Sequence, residues 1–267
     1  MLTFANVDPD VKSTALVLGR CSHPGRSSGR VRGVSDTAPK RARDIARAAL
    51  IEEITDTARR HLAADGAAGL SLRAVSRELG MVSSAIYRYF PSRDALLTHL
   101  IVDAYDAIGA TVEAAESAIA RDDLPGRFAA IAHGVRNWAR SNPHEYALIY
   151  GSPVPGYAAP EATIAPATRV TMLLLILLAD LEAAGVAVGE SAAPLPPALV
   201  EQLTELIAPT GLSIDPARMA VGIGVWTELY GMVSFELFGQ FQNVFDDADD
   251  IFAARVWAMS ARLGVLA

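Results

Sequence analysis

The sequence predicts an all-α protein in which a three-helix module precedes a larger helical domain. The stretch 72–90, LRAVSRELGMVSSAIYRYF, has the spacing of two short helices joined by a tight turn. Beyond residue 94 no alternating run of strand length occurs, and proline or glycine separates segments of helix length. The chain has 267 residues, of which 51% are hydrophobic, and this is enough for two domains with their own cores.

Residues 1–39 are expected to form a disordered N-terminal extension. They contain glycine, serine, proline and scattered arginine, without periodicity and without the apolar segment of a signal peptide. Two other interpretations stay open. Arg26, Arg30 and Arg32 would suit a narrow minor groove, and translation that begins near Val34 would leave the extension out of the native protein.

Three positions within 72–90 have the spacing of a helix-turn-helix. Counted from Leu72, the fifth position must be small, the ninth must allow the turn and the fifteenth must fill the helix crossing; these are Ser76, Gly80 and Ile86. Ser71 is in a position to cap the first of the two helices. Exposed hydroxyl and guanidinium groups on the second helix suit DNA, because they donate to phosphates and base edges. Any helical pair joined by glycine would produce the crossing pattern by chance, so the flanking segments matter.

The flanking segments complete a module over residues 40–93. Upstream, apolar residues at helical spacing predict a helix that ends near Asp65–Gly66, where glycine suits a left-handed cap. Downstream, Pro91 ends the second short helix, and Ser92 caps the next helix with Asp94 near the positive end of its dipole. We interpret this module as a DNA-binding domain.

Charge divides along the same boundary. Residues 40–93 carry ten Lys or Arg against six Asp or Glu, a net charge of +4, whereas residues 94–267 carry eight against twenty-one, a net charge of −13. A basic module on an acidic body suggests that DNA binds at one end of the molecule. A solvated charged face would give the same counts.

Three segments within residues 44–98 resemble one known DNA-binding domain. Ala58 with Gly66, then SLRAVSRELG, then AIYRYFPSRDALL closely resemble the N-terminal domain of the TetR family of transcriptional regulators. The most specific element is the run 87–90 followed by a serine and an arginine. The resemblance implies phosphate contacts from Ser71, Arg73, Tyr87, Tyr89 and Arg93, and groove contacts from Val82, Ser83 and Ser84.

The chain departs from the family pattern at three positions. Leu62 replaces the usual aromatic residue, which alters core packing. Val82 stands where a serine commonly caps the second helix, so that Ser83 is expected to take that role. Arg93 replaces lysine.

Residues 94–267 are predicted to form a helical domain that binds an effector and dimerises. From Ser92 onwards, helices are expected near 92–118, 124–141, 143–150, 160–185, 196–208, 215–238 and 247–264. The loop at 185–197 is expected to be mobile. Two further segments, SNPHEYALIYGSPVPGY and WTELYGMVSFELFG, resemble the WHG-type C-terminal domain of one TetR subfamily, with Tyr230 in place of the histidine of its naming motif. This resemblance implies effector binding and a dimer.

An apolar stripe near the C-terminus is the candidate dimer interface. Trp226, Leu229, Val233 and Leu237 follow one another at steps of three and four residues. An interface between two subunits would cover them, and two recognition helices related by symmetry would read a palindrome. An ordinary intramolecular core is the alternative.

Five aromatic residues are the candidates for an effector site. A mainly apolar cavity with a few polar tips is common for small-molecule pockets. Phe128, Trp138, Tyr146, Tyr150 and Tyr157 have this character, although simple core packing would explain each of them.

These patterns predict a cytoplasmic transcriptional regulator. We expect a homodimeric repressor that binds palindromic operator DNA and is released by a small, largely apolar effector, through movement of the helix that begins at Ser92. The alternative is a DNA-binding protein without sequence preference or effector. We expect no enzyme, cofactor or metal site, because phosphate-loop, nucleophile-elbow and zinc motifs are missing and Cys21 is the single cysteine. No membrane span is expected, because the most apolar run, 170–179, is far shorter than the ~20 residues required.

Overall fold

The computed structural model describes residues 37–189 and 194–265, with side chains from residue 41. Cys21, most of the expected N-terminal extension and part of the expected mobile loop lie outside these ranges. Within them the chain forms ten α-helices and no strand: α1 Thr37–Gly69, α2 Leu72–Glu78, α3 Ser83–Ile86, α4 Arg93–Ser117, α5 Leu124–Ser141, α6 Pro143–Tyr150, α7 Ile164–Ala183, α8 Pro197–Ile207, α9 Pro216–Leu237 and α10 Ala248–Leu263. The all-α prediction is confirmed.

The described residues form two compact units that divide between Leu100 and Ile101. The division falls inside α4, which runs without interruption from Arg93 to Ser117. The domain boundary expected from the sequence, between residues 93 and 94, lies seven residues earlier, in the first turn of that helix.

In the first unit, α1 to α3 and the start of α4 enclose one apolar core. Ile54 and Ala58 of α1 are fully buried, and α1 bends at Gly66, whose φ of 68° is a left-handed conformation that favours glycine. Gly80 between α2 and α3 also has a positive φ, of 64°. Ser76 and Ile86 are fully buried, as the helix-turn-helix spacing predicts.

In the second unit, α5 is central and packs against α7, α9 and α10, while α8 packs on α9. Aspartates cap three of the helices: the side chains of Asp123, Asp215 and Asp247 accept hydrogen bonds from the first-turn amides of α5, α9 and α10. The observed bounds of α4 to α10 lie within a few residues of the predicted ones, because most predicted boundaries lie at or next to proline, glycine or a capping residue.

Every arginine of the second unit has a carboxylate partner on the chain. Examples are the fully buried Arg127, which contacts Glu116 at 2.6 Å and Asp180 at 2.7 Å, and Arg136, which contacts Glu236 at 2.7 Å. The full set is Arg121, Arg127, Arg136, Arg140, Arg169, Arg218, Arg255 and Arg262. These pairs join α4, α5, α7, α9 and α10, and they use up the positive charge of this unit.

Two described helical segments, Arg93–Ser117 and Glu161–Ala183, are long and apolar enough to cross a bilayer by length and composition. Half of the apolar window is buried within the chain in the first and 28% in the second. Core helices of soluble proteins pass the same test, so this is weak evidence for a membrane span.

Candidate nucleic-acid interface

The N-terminal tip of α3 projects small and apolar side chains into solvent. Val82 is 74% exposed, Ser83 and Ser84 are exposed, and Tyr87 just after the helix is 44% exposed. Ile86 in the same turn is fully buried and anchors the helix in the core. We call Val82, Ser83, Ser84 and Tyr87 the reading surface. Its short side chains allow close approach to another molecule, and its exposed valine is suited to contact with a thymine methyl group.

The helix ends differ from the sequence-based expectation in three ways. Ser71 is the N-cap residue of α2 but makes no capping hydrogen bond through its side chain. Val82, not Ser83, is the N-cap residue of α3, so the prediction that Ser83 caps this helix is wrong. The regular part of α3 ends at Ile86, and the segment to Tyr89 continues as turns. The hydroxyls of both serines on α3 therefore stay available for an external partner.

Positive charge surrounds the reading surface. Arg73 and Arg77 of α2 and Arg88 after α3 are exposed, and none of them has a carboxylate partner among the described residues. The carboxylate of Glu78 at the end of α2 is paired with two residues of α1: Arg60 donates to it at 2.8 Å, and His61 contacts it at 2.7 Å. The hydrogen bonds from Arg60 and His61 hold the pKa of the Glu78 carboxyl below its usual value. This carboxylate joins α2 to α1.

Arg93, expected from the family resemblance to contact phosphate, has its guanidinium on the protein backbone. Its Nε donates to the carbonyl of Leu70 at 3.1 Å and its Nη2 to that of Ala67 at 2.8 Å. These carbonyls lie at the turn between α1 and α2, so Arg93 positions α2 against α4. Beside it, the Ser92 hydroxyl accepts from the Ala95 amide at 3.0 Å, which confirms the predicted cap.

Sequence reasoning missed Arg47. Its guanidinium carbon lies 5.0 Å from the centroid of the Tyr89 ring, and its Nη2 donates to the carbonyl of Arg88 at 3.4 Å. The signal was present in the sequence, because Arg47 lies seven residues before the buried Ile54 and therefore on the same side of α1.

In the second unit, three of the five candidate effector residues belong to one cluster of buried and partly buried tyrosines. Tyr146 packs against Tyr150, and Tyr150 packs against Tyr105 and Tyr230, with centroid distances of 4.6–5.9 Å. Tyr157 lies close enough to Tyr105 to affect its pKa. Phe128 and Trp138 are buried on α5 and make no ring contact with this cluster among the described residues. Tyr105 and Tyr230 were not among the predicted residues.

Burial keeps these phenols in the neutral form, and hydrogen bonds link their hydroxyl groups. The Tyr146 hydroxyl contacts the Ser234 hydroxyl at 3.0 Å, and the Tyr150 and Tyr230 hydroxyls lie 3.2 Å apart. Burial raises the pKa of Tyr105 and of Tyr146 to about 12, and it also raises that of Tyr150 and Tyr230. The cluster offers neutral hydroxyl groups in an apolar setting.

An apolar groove lies between α7 and α9 next to this cluster. Its cavity volume is about 20 Å³, and Trp226 both lines the groove and packs against Tyr230 at a centroid distance of 5.4 Å. The helices approach closely at Gly222, where a Cβ atom would lie 2.4 Å from Leu178. The lining residues are Thr171, Leu174, Leu175, Leu178, Met219, Gly222, Ile223 and Trp226.

The apolar stripe proposed as a dimer interface is largely internal. Leu229 and Val233 are fully buried within their own chain, Trp226 lines the groove, and Leu237 is partly buried. The assignment of Leu229 and Val233 to a subunit interface is therefore corrected to the intramolecular core, because α5, α7 and α10 cover this side of α9. Other apolar side chains of this region are exposed instead: Phe235, Phe238, Val244, Phe245 and Trp257.

A projecting short helix in a helix-turn-helix beside unpaired arginines defines the class of DNA-binding transcriptional regulators. Residues 54–100 match the family model described as bacterial regulatory proteins, tetR family, and residues 128–259 match the one described as tetracyclin repressor-like, C-terminal domain. The HTH-type transcriptional regulators Rv1816 of Mycobacterium tuberculosis and Mb1846 of Mycobacterium bovis are each 40% identical to this chain over 233 residues, which cover 82% of this chain and 94% of theirs.

Solved structures agree with this assignment. The crystal structure of the regulatory protein SCO4313 is 32% identical, has a TM-score of 0.67, and covers 81% of this chain and 97% of its own. A TetR family regulator from Shewanella sp. PV-4 shares the fold at 16% identity, with a TM-score of 0.52. The match covers 78% of this chain and 96% of the Shewanella chain. The chain belongs to the TetR family of bacterial regulatory proteins, and it is a DNA-binding transcription regulator rather than an enzyme.

Proposed function

We propose that this protein is a cytoplasmic repressor that binds palindromic operator DNA as a homodimer and is released by a small, largely apolar effector. The observation that carries the proposal is the exposed tip of α3, where Val82, Ser83 and Ser84 project while Ile86 anchors the helix. A major groove admits such a helix, and hydroxyl and methyl groups are suited to base edges.

The distribution of free guanidinium groups supports DNA binding through the first unit. Six arginines have no carboxylate partner among the described residues, and all six are exposed and lie before residue 94: Arg41, Arg43, Arg47, Arg73, Arg77 and Arg88. Because every arginine of the second unit is paired, phosphate is attracted to the first unit only.

A second copy of the chain is the proposed partner for the outer side of α9 and α10. Trp257 on α10 is 61% exposed, and α10 packs beside α9. On α9, Gly224 and Gly231 lie seven residues apart on one side of the helix, and a Cβ atom at either would meet nothing within 4 Å. The exposed tryptophan on α10 offers an apolar anchor to a second copy, and the open glycines on α9 allow close approach of a neighbouring helix.

The proposed effector site is the groove between α7 and α9 together with the tyrosine cluster that Trp226 joins to it. The cavity volume of this groove, about 20 Å³, is far below the ~300–1,000 Å³ of typical ligand pockets, so an effector must widen it. Since α4 carries Tyr105 of the cluster and also begins at Arg93 beside α2, its movement would change the reading surface. The effector releases DNA only to the extent that it binds this altered state more tightly than the DNA-binding state.

The test begins with selection of duplexes from a random pool by the full chain. Operator binding predicts an enriched palindrome with half-sites about one helical turn or more apart, and resistance to competition by unrelated DNA. Enrichment without a motif, and equal competition by all duplexes, would instead assign the chain to DNA binding without sequence preference.

The effector site is tested with neutral apolar compounds that release the selected duplex. Such a compound should change the tryptophan fluorescence of the wild-type protein. It should leave the fluorescence of a Trp226→Phe variant unchanged.

A further inference from the structure

The first turns of α1 extend the core-facing side of this helix beyond the core. Arg43, Arg47, Leu50, Ile54 and Ala58 follow one another in steps of four, three, four and four residues, so they lie on one side of the helix. Ile54 and Ala58 are fully buried, Leu50 is partly buried, and both arginines are exposed. The core therefore ends near Leu50, and the same side continues as a charged segment. We call residues 41–47 the α1 overhang.

The α1 overhang lies beside the reading surface because Arg47 contacts the segment that follows α3. The Arg47 guanidinium stacks on Tyr89 at 5.0 Å and donates to the Arg88 carbonyl. Arg43 lies one turn further towards the N-terminus, about 6 Å along the helix axis. It has no carboxylate partner among the described residues, so its guanidinium is available to an external anion.

We propose that the α1 overhang is an additional DNA contact, in which Arg43 binds the phosphate backbone that flanks each half-site. The overhang carries three arginines and one aspartate, a net charge of +2, and a guanidinium matches the geometry of a phosphate. It precedes residues 54–100, the part that matches the family model, and so would add to the common DNA-binding domain. Phosphate contacts position a protein without reading bases, so Arg43 would lengthen the footprint and leave base preference unchanged.

The inference rests on the proposed function, and Arg41 offers a matched control. Arg41 lies two residues before Arg43, is also exposed and carries the same charge, but it lies on the opposite side of the helix. Arg43→Gln and Arg41→Gln remove the same charge from the same turn. A general effect of net charge would change both variants alike, whereas a directed phosphate contact would change Arg43→Gln alone.

The first measurement is the salt dependence of binding by the full chain to a duplex selected with the wild type. Each lost phosphate contact lowers the slope of log affinity against log salt by about 0.9, so Arg43→Gln should lower it by about 1.8 for a dimer. When salt rises from about 50 to 200 mM, the ratio of wild-type affinity to variant affinity should then fall about twelvefold. Arg41→Gln should keep the wild-type slope.

The second measurement varies the DNA. A duplex trimmed to the selected site should bind the wild type more weakly than one with about ten flanking base pairs on each side, a helical turn. Arg43→Gln should lose most of this difference, and Arg41→Gln should retain it. Equal slopes for Arg43→Gln and wild type, or equal losses in both variants, would overturn the inference. Failure of the wild type to select any sequence would instead overturn the proposed function, and the slopes on a random duplex would still test Arg43.

Discussion

Arg93 Nη2 donates a hydrogen bond of 2.8 Å to the carbonyl oxygen of Ala67, and this contact joins the first residue of α4 to the end of α1. The family resemblance suggests a phosphate contact for this arginine, and in the free protein its guanidinium already holds the backbone. The same guanidinium also donates to Leu70, so it satisfies two carbonyls at the turn before α2.

Arg93→Gln should therefore lower stability more than it lowers the salt dependence of DNA binding. Loss of the two hydrogen bonds from a partly exposed guanidinium should cost about 1 kcal/mol of unfolding free energy, measured by urea denaturation. Arg73→Gln is the matched comparison, because Arg73 is exposed and has no carboxylate partner among the described residues. That variant should keep the wild-type stability and lower the slope of affinity against salt. The reverse pattern would show that Arg93 contacts phosphate.

Changes at the reading surface should alter base preference rather than the electrostatic part of binding. Val82→Ser removes two methyl groups from a side chain that is 74% exposed in the free protein. If Val82 contacts a thymine methyl group, preference for that base should fall by about 1 kcal/mol at one position of each half-site. Repeated selection with the variant measures this. An unchanged motif together with an unchanged salt slope would place Val82 outside the interface.

The tyrosine cluster predicts a loss of stability at alkaline pH. The pKa of Tyr105 and of Tyr146 is about 12 in the folded protein, above the usual value of 10, because burial disfavours the phenolate. The unfolded chain therefore loses these protons first as pH rises. The stability due to the neutral phenols is fully present below pH 10 and is lost between pH 10 and 12, by up to about 1.4 kcal/mol per pH unit for each tyrosine.

Few other side chains titrate in this alkaline range, because the chain contains only two lysines, Lys12 and Lys40. Urea unfolding at several pH values, with the absorbance of tyrosinate followed in parallel, measures it. Tyr146→Phe should remove one titrating group and make the decline less steep. Ionisation of all seven tyrosines near pH 10 in the folded protein would contradict the prediction.

Trp257→Ser should weaken the proposed dimer. A tryptophan at the centre of an interface contributes about 2 kcal/mol or more, so the dissociation constant of the dimer should rise at least about 30-fold. Ile45→Ser is the control, because Ile45 is similarly exposed but lies on α1. Sedimentation at several concentrations distinguishes the outcomes. A wild-type protein that sediments as a monomer would remove the basis of the proposal.

The helical segments were predictable because their ends have local causes. Ser92 and the capping aspartates act within one turn of chain, and Gly80 needs a positive φ wherever a tight turn joins two helices. The exposure of Ser83 and Ser84 followed from the position of Ile86, since residues on one helical turn fix one another's direction.

The partners of side chains between helices were not predictable in the same way. Arg93 was expected on DNA because its family position suggests so, but distant carbonyls at residues 67 and 70 accept its hydrogen bonds. The stripe at Leu229 and Val233 has the same periodicity whether a second subunit or the chain itself covers it, and the packing of α9 decides for the latter. The partnership of Tyr230 with Tyr150 depends on residues 80 positions apart.

The complete pairing of arginines in the second unit restricts the chemistry of any regulatory molecule that this unit admits. A carboxylate or phosphate guest would have to separate an existing ion pair, and it would enter a region where acidic side chains outnumber basic ones by thirteen over residues 94–267. Uncharged compounds meet no such barrier, since phenol hydroxyls can hydrogen-bond to a carbonyl or an ether oxygen without a counterion. An effector of the proposed kind should therefore be uncharged.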